Sequence, residues 1–172
     1  MAMIVESGVG IANSNSYVSL TDADDYHTLY SQLEWAGDDT TKENALIVAT
    51  RVLDALYGDK FLSYKVVNST DLLWPRYPFY DNNGLMQSAV IPKAIKDATC
   101  ELALKYLLGE DVYVSANNEI NLSENTIKIE DLEITNKYRS QVSSEIFTGF
   151  NKIEMFLKSV LKPKNKTVTL WR

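Results

Sequence analysis

The stretch DLLWPRYPFYDNNGL, residues 71–85, decides how the rest of the chain can fold. It holds four aromatic side chains, Trp74, Tyr77, Phe79 and Tyr80, around two prolines and one arginine. Proline has no backbone donor and a fixed φ, so a regular helix cannot run through this stretch. We therefore expect either a stiff corner that holds the fold together or an aromatic platform for a ligand.

Two helices are predicted before this stretch. The first covers about residues 22–33, because a capping hydroxyl precedes aspartates that suit the positive end of a helix dipole. The second has a capping-box pattern at its start, an apolar stripe at helical spacing and a glycine at its end. The capping and stopping residues are Ser19 or Thr21 for the first helix, and Thr40, Glu43 and Gly58 for the second.

Two further helices are predicted after the stretch. The third runs from Pro92, at a first-turn position, to Leu108, with Gly109 as its cap. The fourth runs from about residue 143 to 161 and ends at Pro163. Both carry apolar residues at helical spacing on one face, so we expect both to pack into the core.

The regions between the helices complete the predicted fold. Residues 59–90 are expected to be irregular, with DNNG as a turn. Apolar residues alternate around an acidic turn near 126–136, which predicts a β-hairpin. We therefore expect a mainly α fold, a small bundle of about four helices with a short β-hairpin and extended N- and C-terminal arms. The expected divisions are 1–20 for the N-terminal arm, 21–161 for the helical domain and 162–172 for a basic C-terminal tail.

Composition excludes several classes of protein. The net charge of −6 argues against a generic phosphate-binding surface. Cys100 is the only cysteine, which excludes an intramolecular disulfide and a cysteine-based metal cluster. The chain has no apolar run long enough to span a bilayer and no signal-peptide layout. We therefore expect a soluble protein with no membrane partner, cytoplasmic when it is synthesised.

Few residues of this sequence have the type and spacing of catalytic or metal-binding residues. His27 is the only histidine and is expected to be a half-exposed helix residue. The aspartates of the first helix lack the spacing of a calcium loop, and the glycines near the N-terminus do not form a phosphate-binding loop. We expect no catalytic residue, no metal ligand and no cofactor.

Charge is divided between the two ends of the chain. Residues 1–59 hold ten acids and two bases, whereas residues 155–172 hold five bases and no acid. This asymmetry is typical of head-to-tail contact between copies, of docking onto another surface, or of a terminus that stays solvated. Trp171, next to the C-terminal residue, has little local chain to pack on and is a candidate for burial in a partner.

The aromatic stretch leaves two functions open. Its rings could stack on bases while Arg76 meets a phosphate, as in proteins that bind single-stranded nucleic acid. Few basic residues surround it, which favours a structural role. In that role the prolines stiffen a loop and Trp74 covers one end of the helical core.

Four segments of the sequence resemble a family of tailed-phage proteins. They read ANSNSYVSLTDADDYH, ENALIVATRVLDA, LLWPRYPFYDNNG and VIPKAIKDATCELALKYL, and the resemblance covers about residues 3–108. Members are labelled DnaT-like single-stranded-DNA-binding proteins, and the family is similar in size and helical plan to phage head-tail adaptors. The loop YPFYDNNG departs from the shorter, less aromatic loop expected for the family.

The resemblance implies a structural virion protein without enzymatic activity, a head-tail adaptor that joins the portal to the tail. Such adaptors form a ring, commonly of twelve copies, that binds the portal protein and a tail or nozzle protein. DNA passes through the ring without sequence-specific binding. The expected location is the head-tail interface of the virion, after assembly in the host cytoplasm. A single-stranded-DNA-binding protein is the alternative.

Two groups of residues are expected to make these contacts. The basic tail is expected to dock on the portal, and the aromatic stretch to contact a neighbouring copy or a tail component. The portal-docking residues are Lys162, Lys164, Lys166, Leu170, Trp171 and Arg172. The residues that contact a partner or neighbouring subunit are Trp74, Arg76, Tyr77, Phe79 and Tyr80.

Overall fold

The computed structural model describes residues 2–66, 71–80, 84–87, 89–112, 122–129, 132–139 and 149–162. The helices in these ranges are α1 (Leu20–Leu29), α2 (Asp39–Tyr57), α3 (Lys93–Leu107) and α4 (Gly149–Leu157). The strands are β1 (Tyr64–Lys65), β2 (Arg76–Tyr77), β3 (Phe79–Tyr80), β4 (Met86–Gln87), β5 (Leu122–Ile129) and β6 (Leu132–Arg139). The predicted mainly α fold with an antiparallel hairpin is confirmed.

Local side chains set the helix termini. Ser19 caps α1, since its hydroxyl accepts a hydrogen bond from the Asp22 N–H at 3.1 Å. This helix ends earlier than predicted because Ser31 adopts a φ of 53°, which a helix does not continue through. Asp38 caps α2 by accepting from the Thr41 N–H at 2.7 Å, so the predicted capping box is wrong. A carboxylate is the stronger acceptor at the positive end of a helix dipole.

Gly58 ends α2 for a reason other than backbone freedom. Its φ is −52°, a right-handed value open to any residue, and a 3-10 turn over Gly58–Lys60 continues from it. A Cβ at this position would lie 2.4 Å from Leu73 Cδ1. The glycine therefore lets the aromatic stretch pack closely against the end of α2.

The core lies between α2 and α3, with α4 packed against α3. Apolar residues at helical spacing supply it, as the sequence predicts. The fully buried ones include Ala45, Leu46, Ala49, Val52 and Leu53 in α2, Ile95, Ala98, Leu102 and Ala103 in α3, and Ile153 and Leu157 in α4. Tyr106, one helical turn after Leu102, is exposed in the last turn of the helix.

The aromatic stretch pairs with neighbouring segments. β2 pairs antiparallel with β1, and β3 with β4, so the prediction that residues 59–90 are irregular is wrong in these places. A strand of two residues is too short to show the alternation of apolar and polar residues that identifies a strand in a sequence. The Trp74–Pro75 and Tyr77–Pro78 peptide bonds are both cis. Of the predicted DNNG turn, only Gly84 lies in the described residues.

The N-terminal residues, predicted as an extended arm, contain no helix over 2–18 and close into a loop around Glu6. The Glu6 carboxylate is fully buried and accepts hydrogen bonds from the N–H groups of Gly8, Gly10 and Ile11 at 2.8–2.9 Å. The Glu6 N–H donates to the Ser16 carbonyl at 2.8 Å. A buried carboxylate needs such donors in place of water, so one side chain organises the loop.

The predicted hairpin is present and longer than expected. Every residue of Leu122–Ile129 faces an antiparallel partner in Leu132–Arg139. Ile127 lies opposite Ile134, so the apolar alternation that predicts the hairpin also marks its register.

The described C-terminal part of the chain returns to the segment that follows α2. Leu161 forms an antiparallel bridge with Phe61, and the Lys162 N–H donates to the Lys60 carbonyl at 2.8 Å. The first part of the predicted fourth helix, residues 143–148, and the tail beyond Lys162 lie outside the described residues. None of the described helices has the length and apolarity that crossing a membrane requires.

We expect Gly8→Ala to destabilise the fold more than Gly109→Ala. Both glycines have a left-handed φ, 109° and 73°, so alanine is strained at either position. A Cβ on Gly8 would also lie 2.4 Å from backbone atoms of Ala89 and Val90, whereas one on Gly109 would have nothing within 4 Å. The expected extra loss in free energy of unfolding is about 1–3 kcal/mol, measured by urea denaturation. Equal losses would contradict this close approach of the N-terminal loop.

Candidate functional site

The aromatic stretch is anchored through the Tyr17 hydroxyl. This hydroxyl donates to the Asp54 carboxylate, 2.7 Å from Oδ1, and accepts from the N–H groups of Leu73 and Trp74, both at 3.1 Å. The Leu73 N–H also lies 3.0 Å from Asp54 Oδ2. Three segments that are distant in sequence, the N-terminal loop, α2 and the aromatic stretch, therefore meet at one buried hydroxyl.

Burial controls the protonation of this pair. It raises the pKa of Asp54 to about 6, although hydrogen bonds from Tyr17 and the Leu73 N–H act in the opposite direction. Burial also raises the pKa of Tyr17 far above its usual range, and the neighbouring Asp54 charge adds to the rise. Tyr17 therefore stays protonated, and Asp54 is the member of the pair that titrates.

Trp74 belongs to the core. It is fully buried, and its ring makes edge-to-face contacts with Phe61 and Phe79 at centroid distances of 5.7 and 5.4 Å. Phe79 is itself half-buried. The Trp74 ring is thus enclosed by the protein's own side chains, and base stacking would need a different ring.

Arg76 closes the corner. Three of its nitrogens each donate to a backbone carbonyl, those of Leu62 at 2.7 Å, Ser63 at 2.6 Å and Leu73 at 3.4 Å. Its guanidinium carbon lies 5.8 Å from the centre of the Phe61 ring. These contacts turn the side chain inward, so its main role is to hold β2 against the segment that follows α2.

The outer face of the corner carries exposed rings. Tyr77 is 49% exposed, and Tyr64, directly opposite it in the β1–β2 pair, is 80% exposed. Both line a groove of about 650 Å³, which we call the aromatic groove. Its other lining residues are Gly8, Val9, Lys65, Val66, Pro75, Arg76, Pro78 and Ala89.

Strand pairing places the two rings of the groove side by side and its two basic side chains at the next position. Tyr64 lies opposite Tyr77, and Lys65 lies opposite Arg76. Grooves that bind single strands combine rings and cations along one backbone track. The aromatic groove instead has an apolar centre with the exposed Lys65 at its edge.

The predicted contact residues therefore divide into two sets. Tyr77 and Tyr80 are exposed, and Tyr80 lies opposite the exposed Met86 in the β3–β4 pair. The other three residues of that group pack inward. Sequence reasoning missed Tyr64, because it lies outside the quoted stretch. The one signal that could have found it is a tyrosine between the polar residues Ser63 and Lys65.

A second polar cluster joins α1, α3 and α4 at Glu101. The buried Glu101 carboxylate accepts hydrogen bonds from Tyr26 at 2.8 Å, Gln32 at 3.1 Å and Lys152 at 2.6 Å. Burial pushes the pKa of Glu101 upward, but the bonds from Lys152, Tyr26 and Gln32 outweigh it and the pKa is lowered. The ionised carboxylate thus fixes three elements relative to each other.

His27 is buried, with 2% of its surface exposed, so the expectation of a half-exposed residue is wrong. The turn after α1 covers it: the Trp35 ring stacks on the imidazole at a centroid distance of 4.2 Å, and Gln32 Oε1 lies 2.5 Å from Nδ1. Burial lowers the pKa of His27, which favours the neutral form. Within the described ranges, no three His, Cys, Asp or Glu side chains gather where they could hold a metal ion.

One of the predicted portal-docking residues lies in the described part of the chain. Lys162 is exposed, and its ammonium donates to the Asp59 carbonyl at 2.9 Å. The others, Lys164, Lys166, Leu170, Trp171 and Arg172, lie outside the described residues. Their docking role stays a prediction.

Comparison with known proteins identifies a family. The family profile described as "Putative DnaT-like ssDNA binding protein" matches residues 1–172. No curated protein matches the chain, and no solved structure matches it.

We expect the pH dependence of stability to reveal Asp54. Its pKa is about 6 in the folded protein against 3.8 for an ordinary aspartate, so the folded state binds the proton more tightly. The free energy of unfolding should then fall as pH rises through this window, by up to about 3 kcal/mol from this group. Asp54→Asn carries no titrating proton and should lack this component.

The measurement is urea denaturation of both proteins at several pH values between 4 and 7. Asp24→Asn is the control, since Asp24 sits in a separate cluster and its pKa is lowered by hydrogen bonds from Lys42 and Trp35, despite partial burial. A stability difference between wild type and Asp54→Asn that stays constant with pH would contradict the raised pKa.

Proposed function

Because the chain belongs to the family described as DnaT-like ssDNA binding proteins, which resembles phage head-tail adaptors in size and helical plan, we propose that it is such an adaptor. In this role it is a structural protein of the virion that assembles as a ring, joins the portal to the tail and extends the DNA channel. The proposal places it at the head-tail interface after assembly in the host cytoplasm. It includes no catalytic step, cofactor or metal.

The aromatic groove is the observation that supports this proposal most. Its rings, Tyr64 and Tyr77, face solvent from a corner whose inner side chains are fixed by hydrogen bonds and ring contacts. Exposed apolar side chains that gather on a rigid surface are typical of protein–protein contact sites. An adaptor needs several such contacts, with neighbouring copies and with the rings above and below it.

Charge supports the same proposal. A net charge of −6 suits a conduit through which DNA slides without adhering, because phosphates are repelled by a surface rich in acids. In the proposal the basic residues near the C-terminus, including Lys162, serve the portal contact. Trp171 supplies the apolar anchor there.

Single-stranded DNA binding is the second candidate, and the family description favours it. Tyr64 and Tyr77 are the rings that could stack on bases, since Trp74 is enclosed in the core. Against it stands the inward orientation of Arg76, whose nitrogens bind backbone carbonyls of the corner. A single-strand site would then have few cations beside its rings.

We expect the protein to form a stoichiometric ring-on-ring complex with the portal from the same genome. Native mass spectrometry of the mixture should show the complex with the full chain and its loss when residues 163–172 are removed. The shortened chain keeps Lys162 and its bonds to the core, so we expect it to fold. Its circular dichroism and melting temperature check this expectation. Absence of any complex with the full chain would overturn the proposal.

We expect no measurable affinity for oligo(dT) at 50 mM salt. If the second candidate is correct, binding will be seen and will weaken by roughly 10³-fold or more by 200 mM salt, because phosphate contacts release counterions. Tyr77→Ala should then weaken it by about 1–3 kcal/mol through lost stacking. Trp74→Ala is not a suitable probe, since it removes core packing. The exposed Tyr30→Ala is the matched control.

A further inference from the structure

The end of α1 presents a second exposed apolar surface. Leu29 is 75% exposed, Tyr30 52% and Leu33 89%. We call residues 29–33 the α1 turn. Single exposed leucines are common on protein surfaces, but three large side chains exposed within five residues mark a candidate contact surface.

The α1 turn is held rigid from beneath. The Gln32 N–H donates to the His27 carbonyl at 2.9 Å, and the Gln32 side chain contacts the His27 ring and donates to Glu101. The buried Trp35 donates from Nε1 to Asp24 at 2.7 Å. A rigid turn loses little conformational entropy on binding, so Leu33 is presented ready for insertion into a groove that already exists.

The α1 turn and the aromatic groove have complementary charges. Asp25, one helical turn before Leu29, and Glu34, directly after Leu33, are both exposed. Lys65 is exposed and lines the groove. An apolar centre with an acidic edge therefore matches an apolar centre with a basic edge, which selects the partner and its orientation.

The two surfaces lie at opposite ends of α2. Lys42, in the first turns of α2, places its ammonium 5.6 Å from the Trp35 ring beside the α1 turn. Asp54 and Gly58, at the other end, hold Leu73 and the corner that carries the groove. A helix of 19 residues is about 28 Å long, so the two surfaces of one molecule do not meet.

We propose that the α1 turn of one copy docks in the aromatic groove of the next copy, with Leu33 packed against the paired tyrosines and Glu34 facing Lys65. This inference rests on the proposed function, because it names the contact between neighbours in the ring. Different surfaces of the two copies meet, so the interface is heterologous. Such an interface repeats around a closed ring when the rotation between copies permits closure.

Cysteine cross-linking of the full chain tests the contact directly. Leu33→Cys and Tyr77→Cys are made in separate chains, mixed, added to the portal ring and oxidised. A disulfide forms only where the two Cα atoms approach within about 7 Å, so the mixture should give a covalent dimer that neither variant gives alone. Wild type reports the background from the buried Cys100. Met155→Cys with Tyr77→Cys is the control, since Met155 is exposed on α4 and outside both surfaces.

Charge reversal tests the orientation. Glu34→Lys in the Leu33→Cys chain should lower the dimer yield by about tenfold. Lys65→Glu in the Tyr77→Cys chain should restore it, because reversing both charges rebuilds the attraction. A variant that merely folded badly would not be rescued by a change in another molecule.

The outcomes separate this inference from the proposed function. A portal complex that forms without the cross-link overturns the inference and leaves the adaptor proposal standing. A cross-link that forms without a portal complex supports the contact and overturns the adaptor proposal. Absence of both overturns both.

Discussion

The hydrogen bond between the Tyr17 hydroxyl and the Asp54 carboxylate is the contact on which the rest of the structure depends. The same hydroxyl accepts from the backbone of Leu73 and Trp74, two donors in an irregular segment just ahead of the prolines. An unsatisfied buried donor costs about 1–3 kcal/mol. With those donors satisfied, Trp74 can enter the core, and the packing of Phe61 and the corner follows from its position.

The local parts of this fold could be predicted from the sequence, and the corner could not. Apolar residues at helical spacing predict the helices, and apolar residues that alternate around a turn predict the hairpin. The Tyr17–Asp54 contact spans 37 residues, and no pattern in a single sequence relates the two. The burial of His27 likewise depends on Gln32 and Trp35 folding back over it, which its position in α1 does not reveal.

The sequence predicts which residues the candidate site contains, but not whether their side chains face the core or solvent. An aromatic residue carries the same signal whether its ring fills a core or faces solvent, so the sequence grouped Trp74 with Tyr77 and Tyr80. The structure separates them: Trp74 supports the corner, and the tyrosines form part of its outer surface. Of these three residues, only the outer tyrosines can contact a nucleic acid or another protein. Any binding that the family description implies at this stretch must therefore use them.

The return of the chain to the corner has a mechanical consequence. Any pull applied beyond Lys162 is borne first by the backbone bonds that join residues 160–162 to residues 60–62, two of them 2.8 Å long. Phe61, in the middle of that pairing, packs edge-to-face on Trp74. Tension on the C-terminus is thus carried through Phe61 to Trp74 and the corner, at the end of α2 far from the α1 turn.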